Sequence, residues 1–249
     1  MGKIFSSKHT IPVAILGLIV FGLTAATALV IDWFPDSAAA EVGRQDNLMS
    51  FMFWSSAVFF TIVTTFLVYS VWRFRAKPDD DSDGPPTHGN TLLEIVWTLV
   101  PALLLLFVTV YSYVVLDRNE ALASDRMVVD VTAQQFNWNF GYPDANVRSG
   151  DLRVPVGRQV EFRLRATDVI HDLYVVEWRL KQDATPGITT RLLVTPNEVG
   201  TFQLICAELC GAGHSAMRAR AIVMPQAEFD AWLANAQQQV RDTANSDNP

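Results

Sequence analysis

The chain has 249 residues, of which 50% are hydrophobic and 18% are charged, and its formal net charge is −7. This length allows one or two domains, and the hydrophobic fraction is high for a soluble protein. The acidic balance argues against nucleic acid as a partner and permits a basic protein partner, although solubility alone would explain the charge equally well.

Three long runs contain no Asp, Glu, Lys or Arg: residues 11–31, 47–72 and 95–116. A helix needs about 20 apolar residues to cross a bilayer, so each run is long enough to span one. A buried helix of a soluble protein would rarely continue so far without a charge. The second and third runs therefore predict a hairpin of membrane helices within residues 47–116, the later helix covering about 93–116.

The first run has two interpretations because Lys3 and Lys8 flank its N-terminal side. Together with the alanines at 38–40, which resemble a cleavage site, they are typical of a secretory signal peptide. The apolar core of a signal peptide is usually only about 7–15 residues long, and this run is longer. A retained membrane helix is therefore favoured for the N-terminal segment 1–46, with residues 32–46 as a polar outer loop.

Basic residues set the expected orientation, because loops rich in Lys and Arg stay in the cytoplasm. Arg73 and Arg75 follow the second run, which places the loop at 73–92 on the cytoplasmic side. Within it, residues 78–90 are rich in Asp, Pro and Gly and predict a mobile connector. The third run then leads outwards, so everything beyond the linker at 117–126 is expected to face the outer side of the membrane.

The pattern of the sequence changes at Met127. Six short runs are prone to form strands, several of them alternate apolar and polar positions, and Pro, Gly, Asn and Asp separate them. These runs are Met127–Ala133, Arg158–Arg165, Asp172–Glu177, Thr190–Thr195, Thr201–Ile205 and Arg218–Met224. They predict a β sandwich or barrel over residues 127–225. In the remaining segment 226–249, a short helix is predicted at 227–236, and the polar tail after Gln237 is expected to be disordered.

The densest cluster of reactive side chains is the stretch 206–217, which reads Cys-Ala-Glu-Leu-Cys-Gly-Ala-Gly-His-Ser-Ala-Met. It contains both cysteines of the chain, one of its four histidines and one of its six methionines. Thiolate, imidazole and thioether groups are the soft and borderline ligands that select copper. Two glycines and a preceding strand favour a loop here. His171 lies 35 residues before Cys206 and could add a second imidazole from another strand end.

The number of ligands distinguishes the kinds of metal site. A mononuclear blue-copper site takes two His, one Cys and a weak Met ligand, which leaves one cysteine over. Zinc accepts two Cys and two His but has no use for the methionine. Two coppers bridged by both sulfur atoms would use every side chain and a backbone carbonyl. A disulfide between Cys206 and Cys210 is the structural alternative, because disulfides are permitted on the outer side of the membrane.

The stretch resembles the loop that holds the dinuclear copper centre CuA in cytochrome c oxidase subunit II, whose pattern is C-x-E-x-C-x₃-H-x₂-M. All five positions match: Cys206, Glu208, Cys210, His214 and Met217. Three further segments are similar to segments of the same family and extend the resemblance over roughly residues 48–233. They are Asp168–His171, Lys181–Gly187 and Leu93–Ala102.

The resemblance implies a role for each of these ligands. Cys206 and Cys210 would bridge the two copper ions. Each copper would be completed by one histidine and one weak ligand: His171 with Met217, and His214 with the backbone carbonyl of Glu208.

Two glutamates carry further expectations from the family. The Glu208 carboxylate would face a Mg²⁺ ion at the junction with the catalytic subunit; the simpler alternative is a solvated loop carboxylate. Glu94 precedes the uncharged third run at its cytoplasmic end. The matching glutamate of the family lies at the mouth of a proton-conducting channel, and the alternative for Glu94 is an anchor in the membrane interface.

The sequence departs from the family at the position where electrons arrive. The family usually carries an aromatic run like Q-W-Y-W, whose first Trp is thought to receive the electron. Here Phe136 stands at that position and Trp138 matches the second Trp. Packing of large aromatic side chains in the core is the alternative for both. A carboxylate that helps the cytochrome to dock is replaced by Gly141, so the contact with the donor is expected to differ from the usual one.

The chain is thereby identified as a member of the cytochrome c oxidase subunit II family, the CuA-containing subunit of haem–copper oxidases. The family implies a cupredoxin-like β barrel on the outer face of the plasma (inner) membrane of a prokaryote. It also implies an enzyme complex that oxidises a cytochrome, reduces O₂ and pumps protons. The partners would be the lipid bilayer, subunit I, subunit III and a separate c-type cytochrome, since this chain has no C-x-x-C-H motif for a haem of its own.

Two other functions stay open on the sequence. A nitric oxide reductase could carry the same copper loop, but Glu94 would then have less reason to be present. A membrane-tethered copper-delivery module would favour exposed Cys and Met ligands for a single Cu(I). A quinol oxidase subunit lacks these copper ligands and is discounted.

Overall fold

A computed structural model of the chain describes residues 7–76, 83, 86 and 88–246. The chain divides into two compact units. The first contains the described residues up to Phe34 and those of Asp46–Val114; the second contains Pro35–Gln45 and the described residues from Val115 onwards. Most of the stretch interpreted as a mobile cytoplasmic connector lies outside the described residues.

The helices of the first unit are long and apolar enough to cross a membrane. They are α1 (Ser7–Val30), α2 (Val42–Arg73) and α3 (Thr91–Asn119), and each begins a few residues before its uncharged run. Many of their large apolar side chains are exposed in the isolated chain, as expected where lipid or another subunit replaces water. The 32 residues of α2 would measure about 48 Å. This helix is therefore longer than the hydrocarbon core of a bilayer, which is about 30 Å thick.

Aromatic and polar side chains join α2 to both other helices within the first unit. The rings of Phe51 on α2 and Phe107 on α3 have their centroids 5.2 Å apart. The hydroxyl of Tyr69 on α2 lies 2.6 Å from Nδ1 of His9 on α1. Specific side chains of α2 thus contact both α1 and α3.

The second unit is a β domain with ten strands among its described residues. Their bounds are β1 Met127–Gln134, β2 Asn137–Tyr142, β3 Val147–Ser149, β4 Leu152–Pro155, β5 Val160–Ala166, β6 His171–Val175, β7 Lys181–Ala184, β8 Thr190–Val194, β9 Gly200–Cys206 and β10 Arg218–Met224. They form two five-stranded sheets, in the orders β3-β2-β1-β5-β8 and β4-β10-β9-β6-β7. The predicted fold class, membrane helices followed by an all-β domain, is confirmed.

The core of the β domain is formed by side chains that alternate along the strands. In β1, Val129 and Val131 are fully buried whereas Asp130 between them is partly exposed. Phe162 of β5, in the first sheet, stacks on Trp178, which follows the β6 strand of the second sheet, with ring centroids 6.1 Å apart. Because successive side chains point to opposite faces of a strand, this alternation gives each sheet an inner apolar face and an outer polar face.

Four strands do not follow from the sequence pattern, for local reasons. β2 contains Asn137, Asn139 and Gly141, residue types that predict turns, and β3 has only three residues. β4 ends in Pro155, and β7 has the sequence Lys-Gln-Asp-Ala, which lacks β-branched residues. β3, β4 and β7 are edge strands. Backbone pairing with a neighbouring strand holds β3, β4 and β7, and their own side-chain propensities do not reveal them. In β2 the alternation of Trp138, Phe140 and Tyr142 with smaller or polar residues is a strand signal, which the six predicted runs do not include.

The C-terminal helix is longer than the sequence predicts. α4 (Gln226–Ser246) continues well beyond the predicted ten residues, so 237–246 are helical and not disordered. Its first half is anchored by Phe229, which is buried against the β domain. Its second half is rich in Gln, a good helix former, and a hydrogen bond of 2.7 Å joins Gln238 to Asp242 one turn later.

The segment predicted as a polar outer loop forms hydrogen bonds with the backbone of the β domain. The N–H of Ala38 donates to a backbone carbonyl of the β domain at 3.0 Å, and that of Ala40 donates to the carbonyl of Thr195 at 2.9 Å. The buried carboxylate of Glu41 accepts the N–H of Thr195 at 3.0 Å. Residues 35–45 are therefore part of the β domain, because their backbone groups find partners there.

Candidate metal centre

His171 and the first cysteine lie at the same end of two neighbouring strands. β6 begins at His171 and β9 ends at Cys206, and the strands run antiparallel with Leu173 opposite Cys206. The loop at 207–217 then leads into β10. The N–H of Cys206 donates to the carbonyl of Met217 at 3.1 Å and closes this loop. Strand pairing thus unites residues that are far apart in the sequence.

Two backbone features shape the loop. Gly211 has a φ of +130°, a conformation that residues with a side chain rarely adopt. A single turn of 3₁₀ helix follows at His214–Ala216, directly before Met217. The glycine reverses the chain, and the turn brings both an imidazole and a thioether back to the sulfur of Cys210.

The two cysteine sulfur atoms lie side by side without a bond. Their separation is 3.8 Å, whereas a disulfide has an S–S length of about 2.05 Å. The carbonyl oxygen of Glu208 lies 3.2 Å from Sγ of Cys206, and Nδ1 of His171 lies 3.9 Å from it. Cys206 and Cys210 are both free, so the disulfide alternative does not describe this structure.

A second set of donors surrounds Cys210. Its sulfur lies 3.7 Å from Nδ1 of His214 and 3.8 Å from Sδ of Met217. The ligand atoms of His171, Cys206 and Cys210 all lie within 4.8 Å of one another. The structure therefore brings together all six donor groups that the sequence predicts, and each sulfur has an imidazole beside it.

The donor atoms are removed from water. His171 and Met217 are fully buried, and both cysteines are nearly so. Burial, and then the adjacent thiol of Cys206, raises the pKa of Cys210 to about 11. A thiol in such surroundings keeps its proton unless a cation replaces it. Buried soft donors at these separations fit a thiophilic metal ion.

Asp168 fixes the orientation of one histidine. Its carboxylate lies 2.9 Å from Nε2 of His171, which leaves Nδ1 directed towards Cys206. Burial opposes ionisation of Asp168, but hydrogen bonds from His171 and from two backbone N–H groups outweigh it and lower its pKa to about 2. An ionised acceptor on the far side of an imidazole selects the tautomer whose other nitrogen is free to bind a metal.

The tip of the β1–β2 hairpin is attached to both metal-binding segments. The N–H of Gln135 donates to the Asp168 carboxylate at 2.7 Å, and its side-chain amide donates to the carbonyl of Cys210 at 2.5 Å. The ring of Phe136 lies against Gly211 and Gly213 of the loop at 207–217, called here the copper loop. The sequence predicts no role for Gln135 or Asp168. The position of Asp168 three residues before His171 could have indicated that its carboxylate contacts the imidazole.

The two aromatic candidates for electron arrival differ in exposure. Phe136 is 39% exposed and covers the loop between Cys210 and His214. Trp138 is only 3% exposed, and its ring stands edge-on to His171 with centroids 6.2 Å apart. Of the two, Phe136 is therefore the one that an approaching protein can touch, while Trp138 packs beneath the site.

The two glutamates lie in different units. Glu208 is exposed on the copper loop and contributes its carbonyl to the donor set. Glu94 lies in the first turn of α3, where its carboxylate accepts the N–H of Asn90 at 3.1 Å. This contact gives Glu94 a local role at the start of the helix.

A two-sheet β domain that gathers two cysteines, two histidines and a methionine at one end, on a chain with membrane helices, defines a membrane-anchored, cupredoxin-like copper protein. Two family models match the chain: cytochrome c oxidase subunit II, transmembrane domain, over residues 26–115, and cytochrome c oxidase subunit II, periplasmic domain, over residues 147–225. The chain belongs to the cytochrome c oxidase subunit II family, and its β domain lies on the outer face of the membrane.

Individual relatives are similar over most of their length. Cytochrome c oxidase subunit 2 of Thermostichus vulcanus is 32% identical over an alignment of 252 positions, which covers 80% of this chain and 76% of that protein. The subunit 2 of Synechocystis sp. is 31% identical over an alignment of 247 positions, which covers 80% of this chain and 74% of that protein. Among solved structures, the periplasmic domain of subunit II of cytochrome oxidase from Bradyrhizobium japonicum aligns with a TM-score of 0.45 and 24% identity, covering 48% of this chain and 97% of that one.

Proposed function

We propose that this chain is the electron-accepting subunit of a haem–copper terminal oxidase. It receives electrons from a c-type cytochrome at a dinuclear copper centre and passes them to haem in the catalytic subunit, which reduces O₂ and pumps protons. One observation carries the proposal: two free, buried cysteine sulfur atoms lie 3.8 Å apart, and each has its own imidazole. A single blue-copper ion would use only one of these thiols, and a zinc ion would use both but not the sulfur of Met217, which lies 3.8 Å from Cys210.

The residues would hold two coppers as follows. Cys206 and Cys210 would be shared by both ions, His171 and Met217 would complete one, and His214 with the carbonyl of Glu208 would complete the other. The distances support one imidazole for each copper, since His171 lies beside Cys206 and His214 beside Cys210. Sδ of Met217 lies 3.8 Å from Sγ of Cys210, and it could serve either copper because a shared sulfur would contact both. When bound, the pair takes up and releases one electron at a time.

The surroundings of the site suit electron transfer because they are rigid. Asp168 holds the His171 ring, and Gln135 joins Asp168 to the carbonyl of Cys210. Trp138 fills the space beneath His171. Ligands that are fixed before the metal binds move little when its charge changes.

A magnesium ion and a proton inlet are further parts of the proposal. The backbone carbonyl of Glu208 faces Sγ of Cys206, whereas the residue itself is exposed. The side-chain carboxylate would bind Mg²⁺ together with groups of the catalytic subunit. Glu94 would admit protons from the cytoplasmic side. A Glu94→Gln variant separates this role from helix capping, since an amide oxygen still accepts the Asn90 N–H but the group no longer ionises.

The assembly follows from the same proposal. The chain would bind a catalytic subunit I through its membrane helices and copper loop, and a subunit III would complete the complex. The donor would be a separate c-type cytochrome.

The proposed function is tested by purifying the complex from membranes. We expect two coppers per chain and a copper EPR spectrum with hyperfine structure from two equivalent nuclei. We also expect O₂ uptake that requires a reduced cytochrome. A single EPR-silent Cu(I) would indicate a copper-delivery module, and a copurifying subunit that reduces nitric oxide but not O₂ would indicate a nitric oxide reductase.

Removing the carboxylate behind His171 is expected to weaken copper binding. Asp168→Ala loses the acceptor at 2.9 Å from Nε2, so the ring can rotate or take the wrong tautomer. Loss of such an outer partner typically lowers metal affinity by about 10–100-fold. Chelator competition measures the copper affinity. Asp168→Asn keeps an acceptor oxygen, so its affinity should lie between those of the wild type and Asp168→Ala. Copper held as tightly by Asp168→Ala as by the wild type would remove Asp168 from the site.

A further inference from the structure

We propose that residues 35–41 form a permanent strap that holds the two sheets of the β domain together, and that the chain is therefore not processed at the alanines 38–40. The segment, called here the strap, lies between α1 and α2. Its alanines resemble a cleavage site, because a signal peptidase requires small residues at the first and third positions of an A-x-A motif. The inference depends on no metal ion and on no partner subunit, since contacts within the β domain carry it.

The strap forms backbone hydrogen bonds with both sheets. The N–H of Ala38 donates to the carbonyl of Glu177, which follows β6 of the second sheet. The carbonyl of Ala38 accepts the N–H of Asn197 at 3.1 Å, and the N–H of Ala40 donates to the carbonyl of Thr195. The latter two partners follow β8, the edge strand of the first sheet. One short segment therefore connects an end of each sheet to the other.

Arg179 holds the beginning of the strap. Its guanidinium donates to the carbonyl of Pro35 and, at 3.4 Å, to that of Asp36. The same guanidinium donates to the carbonyl of Val176 at 3.1 Å, within the short connection that follows β6. The backbone of Arg179 has a φ of +57°, which is uncommon for a residue with a side chain. Such a conformation persists where surrounding contacts fix it, and here those contacts include the strap.

Side chains of the strap belong to the hydrophobic core. Ala38 and Ala39 are each 1% exposed and lie in the same buried cluster as the inward-facing side chains of β1. Glu41 is 3% exposed, and its carboxylate accepts the N–H of Thr195 at 3.0 Å. Ala40, between these buried positions, has its side chain exposed. The strap is therefore packed on one side and open to solvent on the other.

Cleavage after Ala40 would damage the β domain in two ways. The mature chain would lack Ala38, so the carbonyl of Glu177 and the N–H of Asn197 would lose their hydrogen-bond partners. The new α-amino group would belong to Glu41, at a buried position where a charged amine loses its hydration. A stable β domain thus requires a chain that is continuous through residues 38–40.

A strap and a cleavage site require small residues at different positions. The A-x-A motif needs small residues at 38 and 40 and accepts any residue at 39. The strap needs a small apolar residue at 39, which is buried, and accepts a polar side chain at 40, which is exposed. Ala39→Asp and Ala40→Asp are therefore a matched pair of variants, since the same substitution at adjacent positions gives opposite results under the two interpretations.

The intact mass and the thermal unfolding of the full chain, purified from membranes in detergent, test the inference. We expect the mass of the wild type to include residues 35–41. Ala39→Asp should lower the Tm of the β domain, followed by circular dichroism, by at least about 5 °C, because it buries an unpaired carboxylate. Ala40→Asp should shift the Tm by less than about 2 °C, as a surface substitution does, and should change the mass only by that of the substitution.

Two variants of Glu41 keep the test decisive if Ala39→Asp does not fold. Glu41→Gln retains an oxygen that accepts the N–H of Thr195, so its Tm should stay within about 2 °C of the wild type. Glu41→Ala leaves that N–H without its acceptor and should lower the Tm by about 4 °C.

Three results would overturn the inference. The first is a mature wild-type chain that begins at residue 36 or later. The second is an Ala40→Asp chain that is heavier than the wild type by an N-terminal segment, because a charge at that position blocks processing. The third is an equal Tm for Glu41→Ala and Glu41→Gln, since the strap would then contribute no contact through its buried carboxylate.

Discussion

Serine in place of Cys206 or Cys210 is expected to eliminate the two-copper centre and, with it, oxidation of cytochrome by the complex. The hydroxyl oxygen is a hard, weakly basic donor that does not replace a thiolate for copper. Because each sulfur lies within reach of the other and of an imidazole, one substitution removes a ligand from both ions. We expect the two-nucleus EPR signal to vanish in either variant, with cytochrome-driven O₂ uptake falling to background.

Met217→Leu is the matched comparison, since Met217 is equally buried and belongs to the same loop. A thioether is a weak ligand that tunes a copper site more than it holds it. Both coppers should stay bound, with a shifted reduction potential. Copper per chain and EPR spectra distinguish the two cases, and far-UV circular dichroism checks that the β domain is folded. A two-copper spectrum that survives either serine would refute the bridging role, and a Met217→Leu chain without copper would refute the weak-ligand role.

The copper loop could be predicted from the sequence because its chemistry is local. Five of the six donor groups lie within twelve consecutive positions, and their identities alone select a soft metal. His171 is a different case, since it reaches Cys206 only because β6 and β9 pair with Leu173 opposite Cys206. The residues alone offered it as a possible second imidazole, and the family resemblance gave it a place in the ligand set. Strand register is a tertiary property that spacing does not encode.

The contacts around the metal centre could not be predicted for the same reason. Gln135 reaches the carbonyl of Cys210 across 75 residues of sequence, and nothing local marks it as part of the site. Its neighbour Phe136 is exposed whereas Trp138 is buried, because Phe136 lies in the turn before β2 and Trp138 lies within the strand, on its core face. The membrane helices are the opposite extreme, since a run of apolar residues specifies its environment without any partner.

An added methyl group at Gly213 is expected to displace Phe136 and disturb the copper loop. A Cβ atom there would lie 2.5 Å from Cδ2 and 2.6 Å from Cγ of the Phe136 ring. Gly213 has a φ of −91°, which alanine adopts without strain, so any effect of Gly213→Ala must come from this contact. Rotation of the ring about its own axis does not relieve the clash, because Cγ, the ring atom attached to Cβ of Phe136, stays in place.

The disturbance should reach the metal ligands. Gln135, next to Phe136, is fixed by hydrogen bonds to Asp168 and to the carbonyl of Cys210, so the hairpin and the loop must move together. Overpacking of this kind typically costs about 1–3 kcal/mol. Since 1.4 kcal/mol corresponds to about tenfold in an equilibrium constant, Gly213→Ala should bind copper roughly tenfold or more weakly in chelator competition.

Two companion variants identify the cause. Gly150→Ala has no atom within 4 Å of the added group and should change stability by less than about 0.5 kcal/mol. The double variant Phe136→Ala/Gly213→Ala removes the ring that clashes, so its copper affinity should return towards that of Phe136→Ala alone. A double-mutant cycle measures this coupling. If Gly213→Ala retains copper as well as Gly150→Ala does, or if removing the ring restores nothing, Phe136 does not rest on the copper loop.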